Sequence, residues 1–308
     1  MPRIRLIDLM RYNHYFRVML NPKFSILVPT RGRPENVIRL IESIIKTASG
    51  KHKIEVIFYI DEDDETFPNH LETNSMISVV RGKRVWISLA WNTLYSNSKG
   101  EIIMYSGDDV VFETYNWDEM VSNAFKNFPD NYGLVYGNDG GWYSGKLAIN
   151  GFVHKDWPKL LGYLAYPARL SALDLWIHEC AAYIGRVTYL DEVMIRHIHY
   201  RQGEALAEFD KTYQEAYEKS VRWGILETYL SLKRERRIDK VILSRATRKK
   251  IPIEFNYIIA HIIDNFSKIL NLKSINSDKI ITLTNRMIAQ KLVNKILNRK
   301  INVLKFLS

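Results

Sequence analysis

Cysteine is nearly missing from this chain. Cys180 is the only one in 308 residues, so no disulfide can close within it, and a reducing, cytoplasmic setting is the expectation. Long apolar runs are missing too. No stretch approaches the about 18 uninterrupted apolar residues of a membrane span, and the opening MPRIRLIDLMRYNHYF lacks the apolar centre of a secretory leader. A soluble protein with no transmembrane segment is expected. Neither a GxxxxGK[ST] loop nor a GxGxxG turn after the first strand is present, which excludes a Walker-type phosphate site and argues against a dinucleotide fold. There is no internal repeat and no low-complexity linker.

Positive charge is abundant but unevenly placed. The formal net charge is +10. Residues 1–204 carry 23 Lys and Arg against 24 Asp and Glu, whereas residues 205–308 carry 21 against 10. The shift in composition marks a boundary, with a basic C-terminal region over 205–308. Such a region is either a solvated helical surface or a docking surface for an anionic partner: nucleic acid, a membrane surface or an acidic glycan.

The first region alternates strand-like and helix-like segments. FSILVP is a short apolar run stopped by Thr30, Arg31 and Gly32, and so reads as a buried strand leaving a sheet. Pro34 then suits a first helical position, and Val37, Leu40, Ile41, Ile44 and Ile45 recur at helical spacing. Residues 53–60 and 76–80 read as strands, 87–96 as a helix, 101–105 as a strand, 117–128 as a helix and 132–136 as a strand. This order predicts an α/β fold with a mostly parallel sheet flanked by helices, followed by a helical C-terminal region. There Phe255, Ile258, Ile259, Ile262, Ile263, Phe266, Ile269 and Leu270 form an apolar stripe. Residues 291–308 read as the closing helix of a small bundle or as a helix lying on a membrane surface.

Parallel sheets bind ligands beyond the carboxyl ends of their strands. Thr30-Arg31-Gly32-Arg33, Asp61, Asp108-Asp109 and Asn138-Asp139 each follow directly after an expected strand, so four polar clusters share one rim. Adjacent carboxylates repel unless solvated or bridged by a cation. They are hard oxygen donors that suit Mg²⁺ or Mn²⁺, and Mg²⁺ commonly takes its remaining ligands from substrate phosphates. Arg31 and Arg33 suit phosphate oxygens, and Asp61 suits a base or ribose. The combination points to a metal-bound nucleoside diphosphate. Taken alone, the acidic pair reads equally well as an exposed turn.

FSILVPTRGRPENVIRLIESI, EVIFYIDEDDE and GEIIMYSGDDVVF, in this order and spacing, resemble the nucleotide-binding half of family 2-type glycosyltransferases with the GT-A fold, over roughly residues 23–200. The resemblance implies a GT-A-like catalytic domain over 1–204. It also implies a nucleoside-diphosphate-sugar donor, a Mn²⁺ or Mg²⁺ ion, and an inverting transfer to an acceptor hydroxyl. By resemblance, Thr30, Arg31 and Asp61 hold the nucleoside, while Asp108 and Asp109 take the ribose and metal-diphosphate roles. The motif departs from its usual spaced form, and Asp109 is favoured for the metal. Asp174, in RLSALDLWIHECAAYIG, matches the family's catalytic base, although an Asp there also suits a helix N-cap; Glu179 is the weaker candidate. The segment MIRHIHY, residues 194–200, resembles the late histidine segment that supplies a metal ligand. Alternation along a strand would put His197 and His199 on one face, and His197 is favoured. His154 and Trp157 fall near the family's acceptor pocket, and Trp142 and Tyr143 suit stacking on a sugar or base, or the core. The acceptor is expected among glycans, lipid-linked sugars and modified nucleic-acid bases. Competing readings are sugar-phosphate nucleotidyl transfer, which would want a different first loop, and a non-catalytic nucleic-acid-binding protein led by the basic region.

Overall fold

The computed structural model describes residues 23–141, 143–168, 172–198, 214, 229 and 231–248. The chain divides into two units, Met1–Pro252 and Ile253–Ser308, and all the described residues belong to the first. Trp142, His199, the apolar stripe over 255–270 and the segment 291–308 lie outside the described residues.

Strand β1 (Phe24–Thr30) is buried along almost its whole length. Phe24, Ile26 and Val28 face one layer of the core, and Leu27 is buried on the other side. A strand covered on both faces must be apolar throughout, which is why it reads as a continuous run and not as an alternation. The same holds for β2 (Ile54–Asp61) and β4 (Ile102–Tyr105). Helix α1 (Pro34–Thr47) starts on Pro34 and buries Val37, Leu40, Ile41 and Ile44. Helix α2 (Ile87–Asn97) follows β3 (Ile77–Gly82) and packs on β1 and β2. Next come β5 (Val110–Phe112), α3 (Trp117–Phe125), β6 (Leu134–Asn138), β7 (Gly151–His154), α4 (Asp156–Leu161), α5 (Leu173–Tyr183), β8 (Val187–His197) and α6 (Lys233–Ala246).

The eight strands form one mixed sheet in the order β3-β2-β1-β4-β7-β6-β8-β5. Pairings β3-β2, β2-β1, β1-β4 and β6-β8 are parallel, while β4-β7, β7-β6 and β8-β5 are antiparallel. The mostly parallel expectation therefore holds. The antiparallel part comes from β7 and β5, strands of four and three residues too short to stand out in the sequence. The core under the sheet is aromatic: the Trp117 ring lies 5.3 Å from Phe24, 4.6 Å from Phe112 and 5.9 Å from Phe152.

Two features of topology aim the functional residues. Parallel strands β1, β2 and β4 all end at one rim. At the other end of the sheet β8 lies between β6 and β5, with a register shift at Gly137/Asn138. A Cβ on Gly137 would fall 2.3 Å from the Val193 carbonyl oxygen, so only glycine allows the two backbones to approach this closely.

Candidate active site

The loop after β1 is held by carboxylates. Gly32 has φ +67, a left-handed turn open to glycine, and its N–H donates to Asp64 Oδ2 at 2.8 Å. Arg31 makes a two-pronged pair with Asp63, at 2.5 and 2.8 Å, and reaches Asp61 Oδ2 at 2.9 Å. Asp61, at the end of β2, is buried. Burial raises its pKa, and Arg31 and Arg84 oppose the rise. Part of the acidic run DEDDE is therefore the frame that shapes the first loop, a role its composition did not announce.

Asp108 and Asp109 are neighbours in sequence but serve opposite sides of the rim. Asp108 is 3 % exposed and turns toward the first loop: Thr30 Oγ1 donates to it at 2.7 Å, Arg33 Nη1 at 3.1 Å and Asn36 Nδ2 at 3.4 Å. Burial raises its pKa, Arg33 pulls it down, and the charge on Asp109 pushes it up again. Asp109 turns the other way, and its Oδ2 lies 3.3 Å from His197 Nε2. A Cβ on Gly107 would stand 2.7 Å from Asp109 Oδ1, so the glycine preceding the pair leaves room for that carboxylate. Gly107→Ala is expected to displace the Asp109 side chain rather than the backbone. The melting temperature should then change little, while the Asp109–His197 contact is perturbed; a thermal melt and the His197 imidazole NMR signals check the two.

His197 ends β8 between the other two acidic positions. Its N–H donates to the Asp139 carbonyl at 3.0 Å, and the N–H of Ile198 donates to the Asp109 carbonyl at 2.7 Å. Burial would lower the His197 pKa, but the charges of Asp109, Asp139 and Asp174, Asp109 first, raise it. Asp139 is buried; its Oδ1 accepts from Gly141 N and Ser144 Oγ. Its Oδ2 is buried without a hydrogen-bond partner among the described residues, a costly state for a carboxylate oxygen unless something else meets it.

Asp174 lies in the first turn of α5. That helix starts at Leu173, with Ala172 at the cap, which corrects the N-cap expectation: Asp174 is already helical, and its Oδ1 accepts from Leu175 N at 2.8 Å. Burial pushes its pKa up to about 6, with the backbone N–H groups and His197 restraining the rise. A carboxyl poised near neutrality suits proton abstraction. Glu179, the weaker candidate, is bound by Tyr229, Lys240 and Arg236. Burial alone would raise its pKa, but these partners hold it below the usual carboxylate range, a poor state for a base.

The structure thus brings Thr30, Arg33 and Asp108 together, joins Arg31 to Asp61, and gathers Asp109, Asp174 and His197 into one electrostatic group. Asn36 and Asp139 join that set without having been assigned roles from sequence. The signal for Asp139 was its place just after β6; Asn36 gave none. His154 and Trp157 do not join it. His154 pairs with Ile102, at the start of β4, whereas Asp108 follows the far end of that strand, and Trp157 is buried core. Their expected place at the acceptor pocket is therefore corrected. Tyr143 lies in the turn after β6.

Among the described residues no three His, Cys, Asp or Glu side chains converge to hold a cation unaided. Asp109 and His197 nevertheless offer two donors 3.3 Å apart, close to the ~3 Å that separates adjacent donors on an octahedral ion with ~2.1 Å bonds. The Asp139 carboxylate is close enough to help raise the His197 pKa. A hard divalent ion with two protein ligands, completed by phosphate oxygens and water, fits this donor set.

Residues 25–188, more than half of the chain, match the family model described as glycosyl transferase family 2. No curated protein sequence matches the chain. Among solved structures, S. aureus TarS 1–349 in complex with UDP is similar at 16% identity and a TM-score of 0.47, over 56% of this chain and 59% of that one. This chain therefore spans less than two thirds of that fragment. The mannosyltransferase PcManGT from Pyrobaculum calidifontis, in complex with GDP-Man and Mn²⁺, is similar at 16% identity and a TM-score of 0.49, over 92% and 90% of the two chains. GalNAc-T7 with UDP, GalNAc and Mn²⁺ is similar at 13% identity and a TM-score of 0.48, over 58% and 44%. No helix among the described residues is long and apolar enough to cross a membrane.

Proposed function

Because the chain belongs to glycosyl transferase family 2, we propose that it moves a sugar from a nucleoside-diphosphate sugar to an acceptor hydroxyl, with a divalent ion bound and with inversion at the anomeric carbon. The observation that carries this reading is the Asp109–His197 pair at 3.3 Å, with the charges of Asp139 and Asp174 also felt by that ring, next to an arginine-braced loop. Acidic metal-side groups, a base and phosphate-side cations then share one rim.

In this reading Thr30, Arg31 and Asp61 hold the nucleoside, and Asp108, fixed by Thr30 and Arg33, receives the ribose. Asp109 and His197 would hold Mn²⁺ or Mg²⁺, which when bound would supply positive charge against the diphosphate. The acceptor hydroxyl oxygen attacks the anomeric carbon while its proton passes to Asp174. The bond from that carbon to the diphosphate oxygen breaks, and the electron pair leaves with the nucleoside diphosphate. Arg33 is a second cation on the diphosphate side. Asp174 is ionised at neutral pH, as the step requires, because its pKa is about 6.

Thermal stabilisation by UDP, GDP, CDP and dTDP, each with and without Mn²⁺, tests the reading. A ligand that binds only the folded form at about 100 times its Kd adds about 2.7 kcal/mol. One diphosphate is expected to raise the melting temperature clearly, and only with the metal. A flat response to all four would sink the proposal.

A further inference from the structure

The two faces of α6 meet different surroundings. Its inner face, with Arg236, Asp239, Lys240 and Leu243, is buried. There Glu179 of α5 receives the Tyr229 hydroxyl and the Lys240 ammonium, and pairs with Arg236 Nε at 3.0 Å. Asp239 accepts from Tyr163 at 2.6 Å and from Trp176 Nε1 at 2.8 Å. The Arg236 guanidinium lies 3.6 Å from the centre of the Tyr229 ring. The inward cations are thus met by a carboxylate of α5, and breaking such a buried match is costly.

The outer face is unmatched among the described residues. Arg234, Arg237, Ile238, Val241 and Arg245 recur at spacings of three and four residues and so form one strip. The three arginines are exposed, and Ile238 is 48% exposed. No ion pair to Arg234, Arg237 or Arg245 occurs among the described residues. Water solvates arginines well but not an isoleucine in their midst. A nucleic-acid backbone would meet the guanidinium groups and leave Ile238 without an apolar partner. The headgroup layer of an anionic bilayer meets both: lipid phosphates take the arginines, and the acyl boundary takes the isoleucine. The charge of residues 205–308, 21 Lys and Arg against 10 Asp and Glu, has the matching sign.

We propose that the outer face of α6 is a docking surface for an anionic lipid bilayer. Since the inner face ties α6 to α5, which carries Asp174, docking would hold the rim at a fixed height above the bilayer and favour an acceptor hydroxyl displayed there. That consequence rests on the transferase reading; the docking itself does not.

Co-sedimentation of the whole chain with vesicles tests it. Vesicles of phosphatidylcholine with about 30% phosphatidylglycerol are expected to retain the protein in a salt-sensitive way, and phosphatidylcholine alone is not. Arg234→Glu/Arg237→Glu/Arg245→Glu should weaken retention by at least about tenfold. The same change in net charge at exposed Lys46, Lys126 and Lys146 should not. Ile238→Ser should weaken vesicle binding yet leave elution from heparin unchanged. All the sites are exposed, and melting temperatures verify folding. The proposal is overturned by absent or lipid-indifferent binding, by retention that survives the arginine reversals, or by equal loss in the lysine control. Tighter, arginine-dependent binding to duplex DNA than to vesicles also overturns it.

Discussion

Asp174→Asn is expected to leave metal-dependent nucleotide binding intact while transfer falls by about 10²- to 10⁴-fold, the range that a positioned general base supplies. The substitution keeps the shape of the side chain and its place in the first turn of α5, so donor affinity has no reason to change; near-normal turnover would remove Asp174 from the mechanism. The pH dependence adds a second arm. A base must be ionised, so in the unsubstituted enzyme kcat/KM should rise with pH through about 6 and flatten above it. The limb belongs to the free enzyme, and acidification should depress kcat/KM tenfold per unit well below that value. Stability should run in the opposite sense. The folded pKa is raised above the ordinary carboxylate value of 3.8, so the folded state binds this proton more tightly than the unfolded chain. Its favourable contribution is complete below about pH 4 and is lost as pH rises through about 6. At pH 8 the ionised Asp174 is a burden of about 1–3 kcal/mol, the lower end applying because the group is only half-buried. Asp174→Asn should therefore be more stable than the parent at pH 8, and the gap should close toward pH 4. A variant that is inactive yet more stable separates loss of the base from loss of the fold.

The sequence showed the strands that are buried on both faces and, to within a few residues, α1, α2, α3, β3 and β6; it did not show β5, β7 or the pairing that closes the sheet. β1, β2 and β4 are legible because both sides are covered, so their apolar runs are unbroken and the polar residues ending them stand out. Thr30, Asp61 and Asp108 were found in this way, by position after a strand. β7 was not legible: GFVH is four residues long, and its antiparallel pairing with both β4 and β6 depends on distant partners. The boundary of α5 shifted because no side chain caps the helix, leaving nothing local to mark Leu173 as its start. Asp139 illustrates the deeper limit. Its neighbourhood is made by the irregular β6-β8 pairing at Gly137, which carries His197 past it from about sixty positions further along the chain. No periodicity reports that closure, and resemblance alone pointed to His197. The opposed orientations of Asp108 and Asp109 were equally hidden, since adjacency in sequence suggested joint work at one ion.

That opposition gives the second large prediction. Asp109→Asn should abolish the Mn²⁺-dependent part of nucleotide stabilisation, because the carboxylate facing His197 loses its charge while keeping nearly its volume. Asp108 should not substitute for it, being committed to Thr30, Arg33 and Asn36 on the other side of the rim. Metal-free stability should change little. Burial and the Asp109 charge both raise the Asp108 pKa, so the Asp109 charge opposes ionisation of its neighbour. Neutralising Asp109 removes that repulsion but also removes its attraction to His197, whose pKa it raises, and the two effects oppose each other. The apoprotein should then melt close to the parent temperature. At a Mn²⁺-nucleotide concentration giving the parent about 2.7 kcal/mol, the variant should gain almost nothing. Paired melting curves of parent and variant, with and without Mn²⁺ and the responding diphosphate, decide it. A variant that keeps the full metal-dependent shift would transfer the metal role away from Asp109. The neighbouring oxygen of Asp139, buried without a hydrogen-bond partner among the described residues, would then be the next carboxylate to remove.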